Sequence, residues 1–573
     1  MLKKIFFFQI VFLVSVFAQS KTEKIDQVVK FYNNNQSFSG AVLVSEHSKV
    51  IYSRGIGLAN REWDIPNTTD TKFRLGSLTK QFTAAVILQL VEQGKLKLDT
   101  KLSDILTDYP KDTGNKITIH NLLTHSSGVR DYLSIPEYFK EYVRKDTKLQ
   151  ELIDLFKNEK LDFEPGTSWS YSNSGYVLLG AIIEKITGKP YEEVVKENIF
   201  TPLGMNNSGY DHFRDIIKKR ATGYDRTPDG YRNCDFVDMS TPYAAGALYS
   251  TVEDLFKWDQ ALYTDKILSE KSRQKIFTGY FDASPGVKYG YGWVITYFKT
   301  GDNDSTLIAD HGGGIYGFNT RIRREIEENN CVILLNNTPG ANLNEMSETI
   351  SKILHGLPYE MPKKSASDKL YADYRKSGID KAVENYIELE KSGSKDYYFN
   401  EDELNRLGYN FLSGKKLHEA VVVFKLNADL HPSSAMAFDN YAEGLLAYGD
   451  TAASIANYKK SLEFNKKNLN AVNVLKRLNV DVSGFSSIDI ELMKTYVGKY
   501  QIKPELIIDV TFEDGKLYAQ VTGQPRYEII PETPTRYFSK MLAAKIEFLK
   551  DGDKITHAIV YVNGRQLNCL KID

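Results

Sequence analysis

Cysteine is scarce in this sequence, which contains three among 573 residues: Cys234, Cys331 and Cys569. An odd number of widely spaced cysteines argues against a disulfide framework. The sequence also lacks the Cys-x-x-Cys and His-Glu-x-x-His motifs of zinc sites. His120 and His125 lie five residues apart, a spacing that does not place both side chains on the same face of a helix. We therefore predict a structural role for both histidines, no metal site and no cofactor.

The chain also lacks an excess of either charge, because 73 lysine and arginine residues balance 74 aspartate and glutamate residues. No basic stripe is present along the sequence. Without one, the chain offers no evident surface for a nucleic acid and gives no reason to expect binding to a membrane surface. We therefore predict no nucleic-acid partner.

The apolar run at residues 5–18 is too short for a confident membrane span, which needs about 20 apolar residues. It follows Lys3 and Lys4, and small residues near Ala18 suit cleavage before Gln19. This is the pattern of a secretory signal peptide. We predict a signal peptide at residues 1–18, no stable membrane span after cleavage, and a periplasmic or extracellular location. An uncleaved N-terminal anchor is the alternative.

Tryptophan is rare, and its distribution divides the chain. All four tryptophans precede residue 300, and we place a first domain at residues 19–357. Strand patterns lie at residues 40–44, 49–53, 291–297, 318–323 and 331–335, and helix patterns at 177–187 and 343–354. Strands at both ends of a helical centre predict an α+β fold whose terminal strands join in one antiparallel sheet.

The remainder of the chain changes pattern twice. A segment rich in proline, lysine and serine at residues 358–369 is predicted to be a linker. In residues 370–482, small and aromatic positions such as Gly408 and Ala442 recur after 34 residues, the period of tetratricopeptide helical repeats. An ordinary helical bundle is the alternative. Residues 490–573 contain short strand patterns separated by Asp-Gly turns and predict a small β domain.

Ser77 opens a Ser-Leu-Thr-Lys stretch at the head of an apolar helix pattern. Residues at positions i and i+3 share a helix face, so the Lys80 amine can reach the Ser77 hydroxyl and act as its base. A lysine has a reference pKa of about 10.4, so burial must lower the pKa of Lys80 by several units for this role. A helix cap beside a solvated lysine is the alternative. The same spacing occurs at three other places, Ser272/Lys275, Ser392/Lys395 and Ser413/Lys416.

A Tyr-Ser-Asn segment distinguishes Ser77 from these other serines. Tyr171 and Asn173 follow a Pro-Gly turn and precede a helix pattern, so Tyr171 is expected to project from a loop. Its hydroxyl is placed to relay a proton to the leaving group. The Asn173 amide is expected to hold a substrate carbonyl and to help position Lys80.

A His-Gly-Gly-Gly run at residues 311–314 is the third candidate segment. We predict that it is the edge of a strand, along which His311, Gly313 and Gly314 let a substrate lie against the backbone. A simple turn is the alternative. The chemistry predicted from the three segments needs a nucleophile, a base, a proton relay and oxyanion donors.

Together these segments resemble the serine β-lactamase and penicillin-binding-protein superfamily, in particular its class C, DD-peptidase and esterase-like branch. The resemblance extends over roughly residues 25–357 and is supported by further segments at 73–76, 122–128, 200–205 and 317–318. It implies an antiparallel sheet sandwiched with helices plus a helical lobe. It also implies an acyl-enzyme on Ser77, with Lys80 and Tyr171 as proton carriers. The backbone N–H groups of Ser77 and Gly314 would form the oxyanion hole.

The third segment departs from the Lys-Thr-Gly form that is usual in β-lactamases. His311 stands in place of the lysine, and Gly312 removes the hydroxyl. A histidine with an unshifted pKa is mostly neutral at pH 7, so the grip on a substrate carboxylate should be weak. If His311 did contribute charge, activity on carboxylate-bearing substrates would rise as the pH fell toward 6.

We therefore predict a secreted serine hydrolase that acts through an acyl-enzyme on a small ester or peptide, D-residue peptides included. A β-lactamase or DD-carboxypeptidase is the alternative among enzymes. A non-catalytic sensor that binds a ligand or a cell-wall fragment is the alternative from another class. The helical repeats are predicted to bind a protein partner or to pack on the first domain.

Overall fold

The computed structural model describes residues 19–572, except residues 36, 136, 228–229, 302, 467, 483–489, 504–505, 514, 523–525, 540–543, 553 and 563–564. Residues 1–18, where the signal peptide is predicted, lie outside the described residues. Within the described part, no helix combines the length and the apolar character needed to cross a bilayer.

An antiparallel sheet forms the centre of the first domain. In the described chain its strands follow the spatial order Phe281–Ser284, Val287–Tyr289, Val294–Lys299, Ser305–Ile315, Phe318–Glu325, Asn330–Asn336, Gly40–Glu46 and Lys49–Ile56. Gly40 pairs with Asn336, so the N-terminal strands lie beside the strands that end the domain. The predicted union of the terminal strands in one antiparallel sheet is confirmed.

Both faces of this sheet are covered by apolar clusters. Successive strand residues point their side chains to opposite faces, so neighbouring residues belong to different clusters. Val42 belongs to an apolar cluster that includes helix Leu343–Leu354. Leu43 belongs to the larger cluster on the other face, with helices Thr79–Glu92 and Asn173–Thr187 of the helical lobe. The predicted α+β sandwich with a helical lobe is confirmed.

Many short elements complete the first domain. Its other helices are Lys21–Asn34, Leu102–Ile105, Lys111–Gly114, Ile119–Leu123, Leu149–Phe156, Tyr191–Val195, Thr201–Leu203, Tyr243–Gly246, Val252–Ala261 and Glu270–Ile276, with 3₁₀ turns at Gly76–Leu78 and Tyr132–Ser134 and π-helical turns at Tyr138–Tyr142 and Lys196–Phe200. Small sheets join Leu58–Asn60 to Ile65–Pro66, Tyr224–Thr227 to Gly230–Asn233, and Phe73–Arg74 to Leu248–Ser250 and Gly209–Tyr210. Strand Phe73–Arg74 leads into the turn that carries Ser77.

One strand of the sheet begins later than predicted. The sequence pattern placed it at residues 291–297, whereas the strand is Val294–Lys299. The backbone turns just before it, since Gly290 N–H donates to the Trp293 carbonyl and Gly292 has a φ of +78°. A Cβ on Gly292 would lie 2.8 Å from the Lys80 carbonyl oxygen. The aromatic residues that suggested a strand therefore belong to a tight turn against the helix of Lys80.

A fully buried ion pair joins the sheet to the helical lobe. Arg324 Nε donates to Asp259 Oδ1 at 2.5 Å, and neither side chain is exposed to solvent. Three aromatic rings lie within 5.6 Å of the guanidinium carbon, those of Tyr263, Phe277 and Trp293. Because these rings exclude water, the pair acts in a medium of low dielectric.

Replacing Asp259 with alanine is expected to lower the free energy of unfolding by about 3–5 kcal/mol, because the buried guanidinium loses its carboxylate. The matched control is Asp265→Ala, which breaks the surface ion pair with Arg273 and should cost less than about 1 kcal/mol. Denaturant unfolding followed by tryptophan fluorescence measures both, since every tryptophan lies in the first domain. Equal effects of the two substitutions would contradict the special role of the buried pair.

The linker predicted at residues 358–369 is shorter in the structure. Helix Ala366–Ser377 begins inside it, with the Ser365 hydroxyl accepting the Asp368 N–H as an N-cap. Lys364 and Ser365 also pair with a second short strand, Tyr397–Tyr398. A serine that indicated a loop in the sequence is thus the start of a helix.

A helical segment follows. Its helices in the described chain are Ala366–Ser377, Ile379–Lys391, Glu401–Ser413, Leu417–Leu430, Ala435–Tyr448, Thr451–Phe464 and Leu469–Arg477. Helices Leu417–Leu430 and Thr451–Phe464 begin and end 34 residues apart. Gly408 packs on Phe424, since a Cβ there would lie 2.4 Å from the ring. The assignment of this segment to tetratricopeptide repeats stays a prediction.

The C-terminal domain is a closed antiparallel barrel. After helix Ile490–Thr495, its strands in the described residues are Gly498–Lys503, Leu506–Glu513, Lys516–Val521, Arg526–Pro531, Arg536–Ser539, Ala544–Asp551, Lys554–Val562 and Arg565–Lys571. Aliphatic and aromatic side chains fill the interior, where the rings of Tyr496 and Phe548 stack with their centroids 4.4 Å apart. Leu469 of the last helix of the helical segment joins this cluster. The predicted small β domain is confirmed.

Candidate active site

Ser77 lies in a tight turn where the helical lobe meets the sheet. It is the middle residue of the 3₁₀ turn Gly76–Leu78, and helix Thr79–Glu92 follows directly. Gly76 has a φ of +54°, and a Cβ there would lie 2.9 Å from the backbone nitrogen of Gly314. Glycine alone suits both this conformation and this close approach. The backbone of Gly314 is thereby held against the turn that carries Ser77.

Lys80 is fully buried one helical turn beyond Ser77. Its Nζ lies 3.1 Å from Ser77 Oγ, 2.8 Å from Asn173 Oδ1 and 2.9 Å from the Ala245 carbonyl oxygen. The amide and carbonyl oxygens can only accept, so they take two of the amine hydrogens. In the neutral amine the lone pair is left for the Ser77 hydroxyl, which donates to it. The geometry therefore suits Lys80 as the base for Ser77.

Burial controls the protonation of Lys80. Removal from water penalises the ammonium and lowers the pKa of Lys80 to about 7, while the negative charge of Asp131 acts in the opposite direction. A large fraction of the amine is then neutral at pH 7, against about one lysine in 2,500 at the reference pKa. Burial thus supplies the change in pKa that a lysine base requires.

Tyr171 lies in the loop before helix Asn173–Thr187, with its ring centroid 4.8 Å from Lys80 Nζ. Burial raises the pKa of Tyr171 well above its usual value, and a hydrogen bond with Ser77 lowers it by a smaller amount. Tyr171 therefore keeps its proton at neutral pH. It can donate that proton to a leaving group but does not serve as the base in its resting form.

Asn173 is held from both ends of its amide. Its Oδ1 accepts from Lys80, and its Nδ2 donates to Asp131 Oδ2 at 3.0 Å. Because a carboxylate can only accept, Asp131 fixes which way the amide points. Asp131 is thus a positioning residue that the sequence analysis missed. It belongs to no motif, and only the neighbouring segment at residues 122–128 pointed to this region.

His125 packs behind Tyr171. Their ring centroids are 4.2 Å apart, and His125 Nδ1 accepts the backbone N–H of Ser172 at 3.1 Å. Burial lowers the pKa of His125 well below its usual value, and Lys80 and His311 lower it further. The ring is therefore neutral. The structure assigns to this histidine the support of the loop that carries Tyr171, a contact that no local sequence signal indicates.

Strand Ser305–Ile315 provides an open backbone edge next to Ser77. Its pairing with the preceding strand ends at Asp310, whereas its pairing with the following strand continues to Ile315. In the described chain, residues 311–315 therefore have a strand neighbour on one side only. Their unpaired edge can bind the backbone of a substrate in the manner of an added strand.

His311 is buried and hydrogen-bonded at both ring nitrogens. Nδ1 lies 2.6 Å from the Gly312 carbonyl oxygen, which must accept, so Nδ1 carries the hydrogen. Nε2 lies 3.0 Å from the Tyr289 hydroxyl and accepts from it. Burial, reinforced by the nearby charge of Lys80, lowers the pKa of His311 to about 3. His311 thus offers neither a positive charge nor a free donor to a substrate carboxylate.

The glycines of the run at 311–314 have different surroundings. Gly314 lines the cleft, and a Cβ there would meet open space. Gly313 faces inward, where a Cβ would lie 2.0 Å from the Leu75 carbonyl oxygen and 2.3 Å from Thr320 Oγ1. Alternate residues of a strand point to opposite faces, so Gly313 and Gly314 face opposite sides, and the ring centroid of His311 lies 6.2 Å from that of Tyr171. Gly313 thus packs against the segment that leads into the Ser77 turn, and the contact of its backbone with a substrate stays a prediction.

The pKa values of Lys80 and His311 predict the pH dependence of activity. Only deprotonated Lys80 acts as a base, so kcat/KM for a neutral ester should fall about tenfold per pH unit below the Lys80 pKa of about 7 and level off above it. His311 stays neutral throughout, so the preference between a carboxylate-bearing ester and a neutral ester should not change between about pH 6 and 8. Initial rates across this range measure both, and a preference for the carboxylate that grows toward pH 6 would contradict the neutral state of His311.

A cavity of about 230 Å³ opens beside Ser77 and Gly314. Much of its wall is apolar or aromatic, with contributions from Tyr132, Leu133, Tyr138, Phe139, Val237 and Tyr316. Among the described residues that line it, none carries a charged side chain. The cavity therefore suits an uncharged group attached to the reacting carbonyl.

The site and the sheet around it match one known family. A family model described as "Beta-lactamase" matches residues 24–355, more than half of the chain. The chain belongs to the beta-lactamase family. The resemblance inferred from the three motifs is thus confirmed, and the protein is a serine hydrolase of the β-lactamase and penicillin-binding-protein superfamily. A second model, described as a domain of unknown function (DUF3471), matches residues 486–569.

Proteins that are similar to this chain are named as penicillin-binding proteins, an esterase and an amidase. Penicillin-binding protein 4* of Bacillus subtilis is 26% identical over 566 residues, 96% of this chain and 98% of the relative. Esterase EstB of Burkholderia gladioli is 28% identical over 56% of this chain and 92% of its own length. Among solved structures, a penicillin binding protein from Bacillus halodurans has a TM-score of 0.52 at 31% identity, covering 57% of this chain and 98% of that one. D-amino acid amidase from Ochrobactrum anthropi has a TM-score of 0.52 at 25% identity, covering 58% and 98%.

Proposed function

We propose that this protein is a secreted serine hydrolase that cleaves a small ester or peptide, D-residue peptides included, through an acyl-enzyme on Ser77. The observation that carries the proposal is the set of contacts of Lys80 Nζ. Two of them occupy amine hydrogens, and the third is the Ser77 hydroxyl. This arrangement supports removal of the Ser77 proton at the moment of attack.

In the proposed acylation step, Ser77 Oγ forms a bond to the substrate carbonyl carbon as its proton passes to Lys80 Nζ. We assign the developing oxyanion to the backbone N–H groups of Ser77 and Gly314, which the close packing at Gly76 brings together. When the bond to the leaving group breaks, that group takes a proton from Tyr171, which recovers one from Lys80. The products are an acyl ester of Ser77 and a free alcohol or amine.

In the proposed deacylation step, a water molecule attacks the acyl carbon with the same oxyanion donors. Its proton passes through Tyr171 to Lys80, which is neutral again after the first step. The bond from the acyl carbon to Ser77 Oγ breaks, and the oxygen recovers its proton from Lys80. The acid is released and each residue returns to its starting state, so no further co-reactant is needed.

The state of His311 supports an ester or peptide substrate over a β-lactam. β-Lactams carry a carboxylate, and His311 supplies neither charge nor free donor for it. The relatives named as an esterase and a D-amino acid amidase act on bonds of the proposed kind. We therefore place ester and peptide hydrolysis before β-lactamase activity.

A DD-carboxypeptidase of the penicillin-binding type is the second candidate. The relative named penicillin-binding protein 4* favours it, since the alignment spans 98% of that protein. This candidate predicts a durable acyl-enzyme with penicillin. A sensor that binds without turnover would also be acylated but would hydrolyse no ester.

Covalent labelling tests the proposal and separates these candidates. Native protein, Ser77→Ala and the matched control Ser413→Ala are incubated with a fluorophosphonate and, in parallel, with a penicillin, and their intact masses are measured. We expect fluorophosphonate labelling of the native protein and of Ser413→Ala, none of Ser77→Ala, and no durable penicillin adduct. Durable penicillin labelling would favour the second candidate, and absence of any Ser77-dependent label would contradict an acyl-enzyme.

We also propose export to the periplasm or the cell exterior, supported by the lysine, apolar and small-residue pattern of residues 1–18.

For the helical segment at residues 370–482, we propose recruitment of a protein partner. Packing of Leu469 in the cluster of the barrel shows one face of the segment already in use. A partner would therefore bind a different face.

A further inference from the structure

We propose that the cavity beside Ser77 selects an uncharged, apolar acyl group about the size of one phenyl ring. This inference deepens the proposed function and rests on it. The residues that would determine this specificity are Tyr132, Leu133, Tyr138, Phe139 and Tyr316.

The cavity lies on the acyl side of the reacting carbonyl. Ser77, Asn173 and Gly314 contribute to its wall, so it opens at the nucleophile and at the oxyanion donor. Tyr171 delivers the proton to the leaving group in the proposed mechanism, and it is not part of the described wall. The leaving group must therefore lie toward Tyr171, which leaves the cavity for the other substituent of the carbonyl carbon.

Two buried aromatic rings form a rigid floor. The rings of Tyr132 and Tyr138 pack with their centroids 4.9 Å apart. The Tyr138 hydroxyl lies 3.0 Å from Thr241 Oγ1, and the Tyr132 N–H donates to the Ser174 hydroxyl. Because the two rings pack on each other, the Tyr138 hydroxyl is hydrogen-bonded and the Tyr132 backbone is held by Ser174, the floor presents an apolar surface of preformed shape, which lowers the entropic cost of binding.

Three exposed apolar side chains form the rim. Leu133, Phe139 and Tyr316 keep 40%, 48% and 36% of their surface exposed although all three line the cavity. Clustered exposed apolar residues mark ligand or partner sites more often than plain surface. Here they border the entrance to the nucleophile, so an apolar acyl group would cover them when it enters.

Charge and volume restrict the group further. A carboxylate in this wall would lose its hydration without gaining a cation, since no described residue of the wall carries a charged side chain. The cavity volume of about 230 Å³ is below the range of about 300–1,000 Å³ that is common for drug-sized ligands. One ring or one branched chain therefore fits better than an extended acyl chain.

Three 4-nitrophenyl esters with the same leaving group test the inference on the full-length protein: the acetate, the phenylacetate and the (4-carboxyphenyl)acetate. We expect kcat/KM for the phenylacetate to exceed that for the acetate by at least about tenfold. Adding the carboxylate to the same ring should lower kcat/KM by about a hundredfold. Ser77→Ala, measured in parallel, shows that each rate belongs to this site.

A designed cation at the rim gives a second test. Leu133→Arg should raise the ratio of kcat/KM for the carboxylated ring over the plain ring by at least about tenfold, because the arginine pairs with the carboxylate. The matched control is Ile216→Arg, which introduces the same charge at a 94% exposed apolar residue outside the cavity wall and should leave the ratio unchanged.

The outcomes separate this inference from the proposed function. Ser77-dependent turnover in which the acetate or the carboxylated ester matches the phenylacetate would overturn the apolar acyl pocket and leave the hydrolase intact. If the ratio of kcat/KM for the carboxylated ring over the plain ring were equal in Leu133→Arg and Ile216→Arg, the rim would not contribute to substrate specificity. Absence of Ser77-dependent turnover of all three esters would overturn the hydrolase itself and the inference with it.

Discussion

The Ser77→Ala variant is expected to hydrolyse 4-nitrophenyl phenylacetate with a kcat/KM lowered by about 10⁴-fold or more. The substitution removes the only protein atom that forms a bond to the substrate carbon in the proposed mechanism. Ser77 is half-buried in the middle of a 3₁₀ turn, and alanine fits the same backbone, so the fold should be unchanged. Initial rates and the midpoint of thermal unfolding measure the two effects separately.

Ser413→Ala is the matched control for this experiment, because Ser413 and Lys416 have the same sequence spacing as Ser77 and Lys80. The Ser413 hydroxyl donates to the Asn410 carbonyl within its own exposed helix end. Its loss should leave activity unchanged. Retained activity in Ser77→Ala, or an equal loss in Ser413→Ala, would show that the nucleophile has been misassigned.

The Lys80→Met variant should show the second largest loss, about 10³-fold in kcat/KM, within the range of 10²–10⁴ that is typical of a lost general base. Methionine has a similar length and no ionisable group. The fall in activity below about pH 7 should disappear with it, because that fall reports the protonation of Lys80. Profiles of kcat/KM against pH for both proteins measure this change.

The pH profile separates chemistry from folding in the Lys80 variant. Methionine leaves Asn173 Oδ1 and the Ala245 carbonyl without the amine that they share, so some stability is lost as well. A purely structural defect would lower the rate at every pH and keep the shape of the profile. Lys416→Met is the matched control, and an unchanged profile in Lys80→Met would contradict the assignment of Lys80 as the base.

The regular elements of the fold could be predicted because they depend on local patterns. Helix Leu343–Leu354 has the predicted bounds, and in the structure the Asn342 side chain accepts the Glu345 N–H as its N-cap. The start of strand Val294–Lys299 was placed three residues early, because aromatic residues of a glycine turn resemble a strand in composition. Ser365 was placed in a linker, since a serine signals a loop and a helix start equally well.

The reacting groups of the candidate site could also be predicted, since they lie in three short motifs with recognisable order. Their surroundings could not. Asp131 orients Asn173, and His125 packs on Tyr171, through contacts between residues more than 40 positions apart. The inward orientation of Gly313 depends on the register of its strand against the following strand. These features result from tertiary packing, which a single sequence pattern does not specify.

The protonation states of Lys80 and His311 depend on burial, which the spacing of residues in the sequence does not reveal. The spacing of Ser77 and Lys80 recurs elsewhere in the chain, but complete burial is what lowers the pKa of Lys80 to about 7. Burial has the opposite chemical consequence for His311, whose pKa of about 3 removes any positive charge from the substrate edge. Burial thus leaves much of Lys80 neutral at pH 7, as the proposed base requires, and keeps His311 uncharged.

The most direct test of the account is the mass of the protein quenched with acid during the first turnovers of 4-nitrophenyl phenylacetate. The account predicts a covalent adduct with the mass of one phenylacetyl group, located on the peptide that contains Ser77 and absent from Ser77→Ala. An adduct on another residue, or turnover with no adduct at any quench time, would contradict an acyl-enzyme on Ser77.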